Sequence, residues 1–204
     1  MYHGERFNAY THLAGALLAL AGAVVLIVLG ALKQDAWKIV SFAIYGASLV
    51  MLYSASTLYH STRGRLKDFF RKIDHTAIYL LIAGSYTPFT LVTLRGPWGW
   101  WLFGVIWGLA LLGIAQESWL GRRTRVLSLI IYILMGWIAL VAVVPLVETL
   151  SPAGFAWLAA GGLAYTAGIV FYAYDRFTHW HGIWHLFVVA GSALHYVAIL
   201  LYVA

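Results

Sequence analysis

Seven apolar runs of about 20 residues, joined by short polar connections, constrain this chain more than any other feature. An α-helix rises 1.5 Å per residue, so ~20 residues cover the roughly 30 Å hydrocarbon thickness of a bilayer. Lipid offers the backbone no hydrogen-bond partner, and a helix satisfies its own within one segment. The runs fall at about 11–32, 38–59, 75–94, 98–115, 127–147, 154–174 and 183–203. They leave no room for a soluble domain, so residues 1–204 are expected to form a single integral membrane domain. The expected fold is all-α, a seven-transmembrane helix bundle. Composition agrees, with 63% hydrophobic and 10% charged residues, against roughly half and a quarter in soluble domains.

The net charge of +6 is no signal for nucleic acid, because the basic residues sit in short connections between runs. There they set orientation. Arg6, Arg63, Arg65, Lys67, Arg71, Lys72, Arg122, Arg123, Arg125 and Arg176 fall on one side, and only Lys33, Lys38 and Arg95 on the other. The positive-inside rule then predicts a cytoplasmic N-terminus and an outside C-terminus in the cell inner (plasma) membrane. No A-x-A cleavage pattern follows the first run, which is read as a retained span. Trp98, Trp100 and Trp101 are interfacial anchors. Pro88, in Gly84-Ser85-Tyr86-Thr87-Pro88, is expected to interrupt the third helix and kink it. With no cysteine in the chain, any metal must be held by histidine, carboxylate or water.

His181-Gly182-Ile183-Trp184-His185 opens the last run. Residues four apart lie on one helix face, roughly 6 Å apart along the axis, so two imidazoles there can reach one metal ion. A tetrahedral site needs further ligands. The alternating topology supplies candidates at the same depth. His60 ends the second run, in Ser56-Thr-Leu-Tyr-His60, and Asp74-His75 opens the third. Each also has an ordinary reading. His60 is placed as an interfacial residue would be, Asp74 as a helix N-cap, and Ser56 can bond back to its own helix. His195 shares a face with His181 but lies roughly 20 Å further along, too far to share a metal. It is read as a buried, hydrogen-bonded histidine, with a polar contact deep in a cavity as the alternative. His12 and His75 are candidates for groups behind the ligands, and His3 and His179 are read as solvated.

The segments SASTLYH, RKIDHTAIYLLIAGSYTP and HGIWHLFVVAGSALHY, with Asn8 and Thr11-His12, resemble the bacterial hemolysin III proteins. Those belong to the progestin and adipoQ receptor superfamily, which includes the adiponectin receptors. The resemblance covers nearly the whole chain. It implies seven helices around a zinc ion near the cytoplasmic side, held by His60, His181 and His185. It also implies that Asp74 and Ser56 stand close to a metal-bound water.

Three function classes follow. The first is a zinc-dependent hydrolase of a lipid amide or ester bond at the inner leaflet, with Asp74 as general base and Ser56 as oxyanion donor. A distant resemblance to alkaline ceramidases points the same way. A receptor or sensor with structural zinc is the second, and a pore-forming cytolysin the third. The spans carry almost no charge that would line an ion path. No lysine lies deep in the seventh run to hold retinal. The expected partners are the lipid bilayer and a membrane lipid as substrate or ligand, with no nucleic acid.

Overall fold

A computed structural model describes residues 4–120, 125–174 and 179–204. Arg122, Arg123, Arg176 and His3 lie outside the described residues. Each apolar run folds as helix, and no strand occurs among the described residues. The elements are α1 (Arg6–Leu32), α2 (Ala36–Ser61), α3 (Gly64–Pro88), α4 (Pro97–Leu120), α5 (Arg125–Trp137), α6 (Val143–Thr149), α7 (Pro152–Ala173) and α8 (Trp180–Tyr202). A π-helical turn (Phe89–Thr93) extends α3, and a 3₁₀ segment (Ile138–Ala142) joins α5 to α6 into one span. The described residues thus contain seven helices long and apolar enough to cross a membrane.

Local chemistry sets several of these boundaries. Asp35 caps α2, its carboxylate accepting from the Trp37 and Lys38 N–H groups at 2.9 and 3.2 Å. Ser151 caps α7 by accepting from Gly154 N–H, and Pro152 supplies a first position that needs no donor. Pro88 has no N–H to give to the preceding turn. The helix does not stop there but widens into the π turn, in which Leu94 N–H reaches Phe89 O at 2.7 Å. In the fifth span Pro145 removes another donor, and the ladder loosens one turn upstream. Tyr86 fills that break, its hydroxyl donating to Gly136 O at 2.8 Å and accepting from Ala139 N–H at 3.1 Å.

The third helix starts at Gly64, well before the apolar run at His75. Arg65, Lys67, Arg71 and Lys72 are therefore helical and do not form a loop. Asp74 lies inside α3 and caps nothing, so the N-cap reading is corrected. The stretch escapes a hydropathy reading because it is amphipathic. Leu66, Phe69, Phe70 and Ile73 recur at helical spacing on one face, with charged residues around them.

Consecutive helices pack as neighbours from α1 to α4, α7 packs on α8, and α8 returns to α1 to close the ring. Small residues allow the close approach that membrane helices need. The buried face of α1 is Ala9, His12, Gly15, Ala19, Ala23, Leu26 and Gly30, a narrow stripe at spacings of three and four. A Cβ at Gly46 would collide with Ala23 on that stripe. One apolar core joins α1, α2 and α8 through Tyr45, Leu49, Leu52 and Val188; a second joins α3 to α4 and α5 through Tyr79, Leu102, Ile106 and Met135. Outward-facing Leu17, Leu18, Val24 and Val28 are more than two-fifths exposed, as a lipid-facing side requires.

Candidate metal centre

The starts of α1 and α8 and the end of α2 meet at one end of the bundle. There His60, His181 and His185 come together, each with a ring nitrogen within 4.8 Å of the others. Ring centroids stand 5.1 Å apart for His60 and His181, 4.9 Å for His60 and His185, and 4.8 Å for His181 and His185. His60 and His185 are buried, and His181 is half-buried. The i, i+4 pair on α8 and the last full turn of α2 thus converge.

Hydrogen bonds orient the two buried rings. His60 Nδ1 lies 2.6 Å from Glu5 Oε2, and a carboxylate can only accept, so Nδ1 carries the proton. The remaining lone pair sits on Nε2, which is buried with no hydrogen-bond partner. In His185, Nδ1 lies 3.1 Å from the Asn8 carbonyl and 3.4 Å from Thr11 Oγ1. It therefore donates, and its lone pair too is left on Nε2. An unpartnered buried imidazole nitrogen facing two other imidazoles fits a divalent first-row cation held by nitrogen ligands.

Glu5 was not legible as part of this centre. Besides His60 it accepts from Lys67 Nζ at 2.6 Å and Asn8 Nδ2 at 3.0 Å. Burial opposes its ionisation, but its hydrogen bonds to His60 and Lys67 outweigh that and hold the carboxyl well below the usual carboxylate range. The sequence signal is the spacing Glu5, Asn8, His12, one face of a helix start.

Asp74 and Ser56 line the same cavity as His181 and His185. The Ser56 hydroxyl is buried and has no hydrogen-bond partner. His12 stacks on His185 with centroids 3.7 Å apart, and both its nitrogens lack partners. His75 also borders the cavity, but its Nδ1 contacts Glu117 Oε1 on α4 at 3.2 Å. Glu117 in turn accepts from Ser128. His195 stands apart from the histidine cluster, with Nε2 3.1 Å from Leu158 O, as the buried-histidine reading requires. His179 is exposed.

The cavity measures about 120 Å³. It runs from Asp74, His181 and His185 inward along Leu52, Ile78, Leu81 and Ile133, and reaches His195 in the middle of α8. Ser56, Asp74, His181 and His185 gather at one end, and Ser85, Tyr165, Thr166 and His195 are set among a mostly apolar lining.

The chain is similar to proteins of one family. A family profile described as "Haemolysin-III related" matches residues 1–196. "Hemolysin-3" of Bacillus cereus is 45% identical over 200 residues, covering 98% of this chain and 91% of that protein. "Hemolysin-3 homolog" of Bacillus subtilis (strain 168) is also 45% identical, covering 97% and 93%. The human "Monocyte to macrophage differentiation factor" is 32% identical, covering 94% and 81%. A seven-helix membrane protein with a histidine cluster at one end of the bundle, matched along almost its full length, belongs to the haemolysin-III related family.

Proposed function

We propose that this protein is a zinc-dependent hydrolase of a lipid amide or ester bond, working at the inner leaflet of the plasma membrane as one integral domain. The observation that carries the reading is the shared cavity. A potential metal centre, a carboxylate and a hydroxyl stand at one end of an apolar slot. Acyl chains suit such a slot, and a reacting carbonyl would then sit at the end where the histidines, Asp74 and Ser56 gather.

His60, His181 and His185 would hold the ion. When bound, zinc supplies Lewis acidity toward the carbonyl and a water of lowered pKa. The Asp74 carboxylate takes the proton of the attacking water as its oxygen bonds to the acyl carbon. Ser56 donates a hydrogen bond to the oxygen that gains charge. Collapse breaks the carbon–nitrogen or carbon–oxygen bond, and the proton held by Asp74 passes to the leaving amine or alkoxide. The products are a fatty acid and the freed amine or alcohol.

The test is incubation of zinc-loaded protein in bilayers with ceramides and acyl esters. Zinc-dependent release of fatty acid is expected. Asp74→Asn should lose about 10²–10⁴-fold in rate while keeping its zinc, because the amide cannot take the proton. Ser56→Ala should lose about 10²-fold as a single oxyanion donor. No product from a fully occupied site would instead favour a receptor with structural zinc. For that second reading, the supporting observation is that the three histidines come from α2 and α8, so an ion would tie the two helices together.

A further inference from the structure

We infer that the first turn of α1 is the outer shell of the metal centre, with Glu5 and Gly182 as positioning residues that set its metal affinity. The inference rests on the metal-binding part of the proposed function and adds groups that never touch the ion.

Three observations carry it. The first is Glu5. One carboxylate oxygen accepts a hydrogen bond from His60 Nδ1 at 2.6 Å, and the other accepts one from Lys67 Nζ at 2.6 Å. Lys67 lies on the amphipathic start of α3, so Glu5 is braced from a third helix. This fixes both the tautomer and the plane of the ring whose Nε2 would face the ion. A carboxylate behind an imidazole also raises the basicity of the ligating nitrogen.

The second is the Asn8 carbonyl. It plays the same part for His185, accepting from its Nδ1 at 3.1 Å. The Thr11 hydroxyl stands 2.9 Å from both the Phe7 and Asn8 carbonyls, packed against the same contact. The two buried ligands, drawn from different helices, are thus turned toward the centre by partners three residues apart on one turn of α1. The Asn8 side chain donates to Glu5 Oε2 at 3.0 Å, so the two partners are also tied to each other.

The third is the glycine inside the last motif. A Cβ on Gly182 would collide with the Phe7 ring and come within 2.9 Å of Asn8 Oδ1. Gly182 is itself buried, directly after His181. The His181-Gly182-Ile183-Trp184-His185 motif therefore needs its glycine for close approach. With no side chain there, the start of α8 lies against Phe7 and Asn8 at the start of α1, where the Asn8 carbonyl reaches His185. The Glu5 contact depends on α1 and α2, and the Gly182 contact on α1 and α8. Two different helix pairs place the same turn.

The experiment measures zinc and cobalt affinity by chelator competition on the full-length protein in detergent or nanodiscs, with the metal-free melting temperature in parallel. Wild type, Glu5→Gln, Glu5→Ala, Gly182→Ala and a control, Trp98→Phe at the far end of the bundle, are compared. Outer-shell changes typically cost 10–100-fold in metal affinity. Glu5→Ala is expected to fall in that range. Glu5→Gln should lose less, because its amide oxygen still accepts the His60 proton. Gly182→Ala should also weaken binding although no donor is removed, and the control should match wild type. The cobalt absorption band should shift in the Glu5 variants, since it reports the field of the ligating nitrogens. Wild-type affinity in both Glu5→Ala and Gly182→Ala would overturn the inference while leaving the metal reading intact. So would an affinity loss matched by an equal fall in metal-free melting temperature, which marks a merely structural role. A wild-type protein that binds neither metal would overturn the metal reading itself.

Discussion

At the scale of single residues, imidazoles with similar surroundings in the sequence separate by what their second nitrogen meets. His60 and His185 each spend Nδ1 on α1 and leave Nε2 toward the cluster. His195 spends Nε2 on Leu158 O, in a different part of α8. Substitutions should follow this division. His60→Ala, His181→Ala and His185→Ala should each take metal well below one ion per chain by elemental analysis, because two nitrogens do not make a tetrahedral site. His195→Ala should keep full metal content and lose about 0.5–1.5 kcal/mol of stability with its hydrogen bond to the Leu158 carbonyl. Metal loss in His195→Ala would mean that the slot and the metal centre are not separable.

At the scale of elements, the informative features are the interruptions. The third span passes through Pro88 by widening into a π turn, and the fifth is broken by a 3₁₀ segment. The two breaks are linked, because Tyr86 lies just before Pro88 and its hydroxyl serves the exposed backbone of the fifth span. Tyr86→Phe should therefore destabilise the protein by about 1–3 kcal/mol, since a carbonyl and an N–H in an apolar surround lose their partner. Thermal unfolding with metal analysis in parallel is the check; an unchanged melting temperature would mean that water or lipid satisfies those groups. Proline spacing made an interruption at Pro88 legible in advance. Its form was not, because the choice between a kink and a π turn depends on what the neighbouring helix offers. The early start of α3 was likewise missed, since hydropathy registers burial in lipid and α3 begins as an amphipathic helix with its charges on one face.

For the whole molecule, orientation and metal linkage are the properties to test. The basic residues that open α3 lie at the same end of the bundle as the histidine cluster. If the positive-inside rule governs insertion, that end is cytoplasmic. A reporter fused after Ala204 should then read as outside, and one inserted at Gly64 as inside; the opposite pattern would place the cluster at the outer leaflet. An ion that binds only the folded bundle should stabilise it by about 2.7 kcal/mol at a free concentration of a hundred times the dissociation constant. Adding zinc to metal-free protein should accordingly raise the melting temperature, and a chelator should reverse it. A melting temperature indifferent to zinc would mean that no ion binds the folded state selectively.

What the sequence determined by itself follows from one-dimensional rules. Seven runs long enough to span lipid dictate seven helices, and the i, i+4 spacing of His181 and His185 puts two imidazoles on one face. Alternation of direction puts the end of α2 and the start of α8 at one depth, so His60 could be placed level with them, and only the family resemblance set it beside them. The tertiary structure decided what depends on lateral packing. It turned Glu5 and the Asn8 carbonyl behind the ligand rings, sent His75 toward Glu117, and stacked His12 on His185. It also placed Gly182 where α8 touches α1. None of these is a spacing along one helix. Each depends on the rotation of a helix about its own axis and on how closely its neighbour can approach. Those are set by which small residues face one another across the whole bundle.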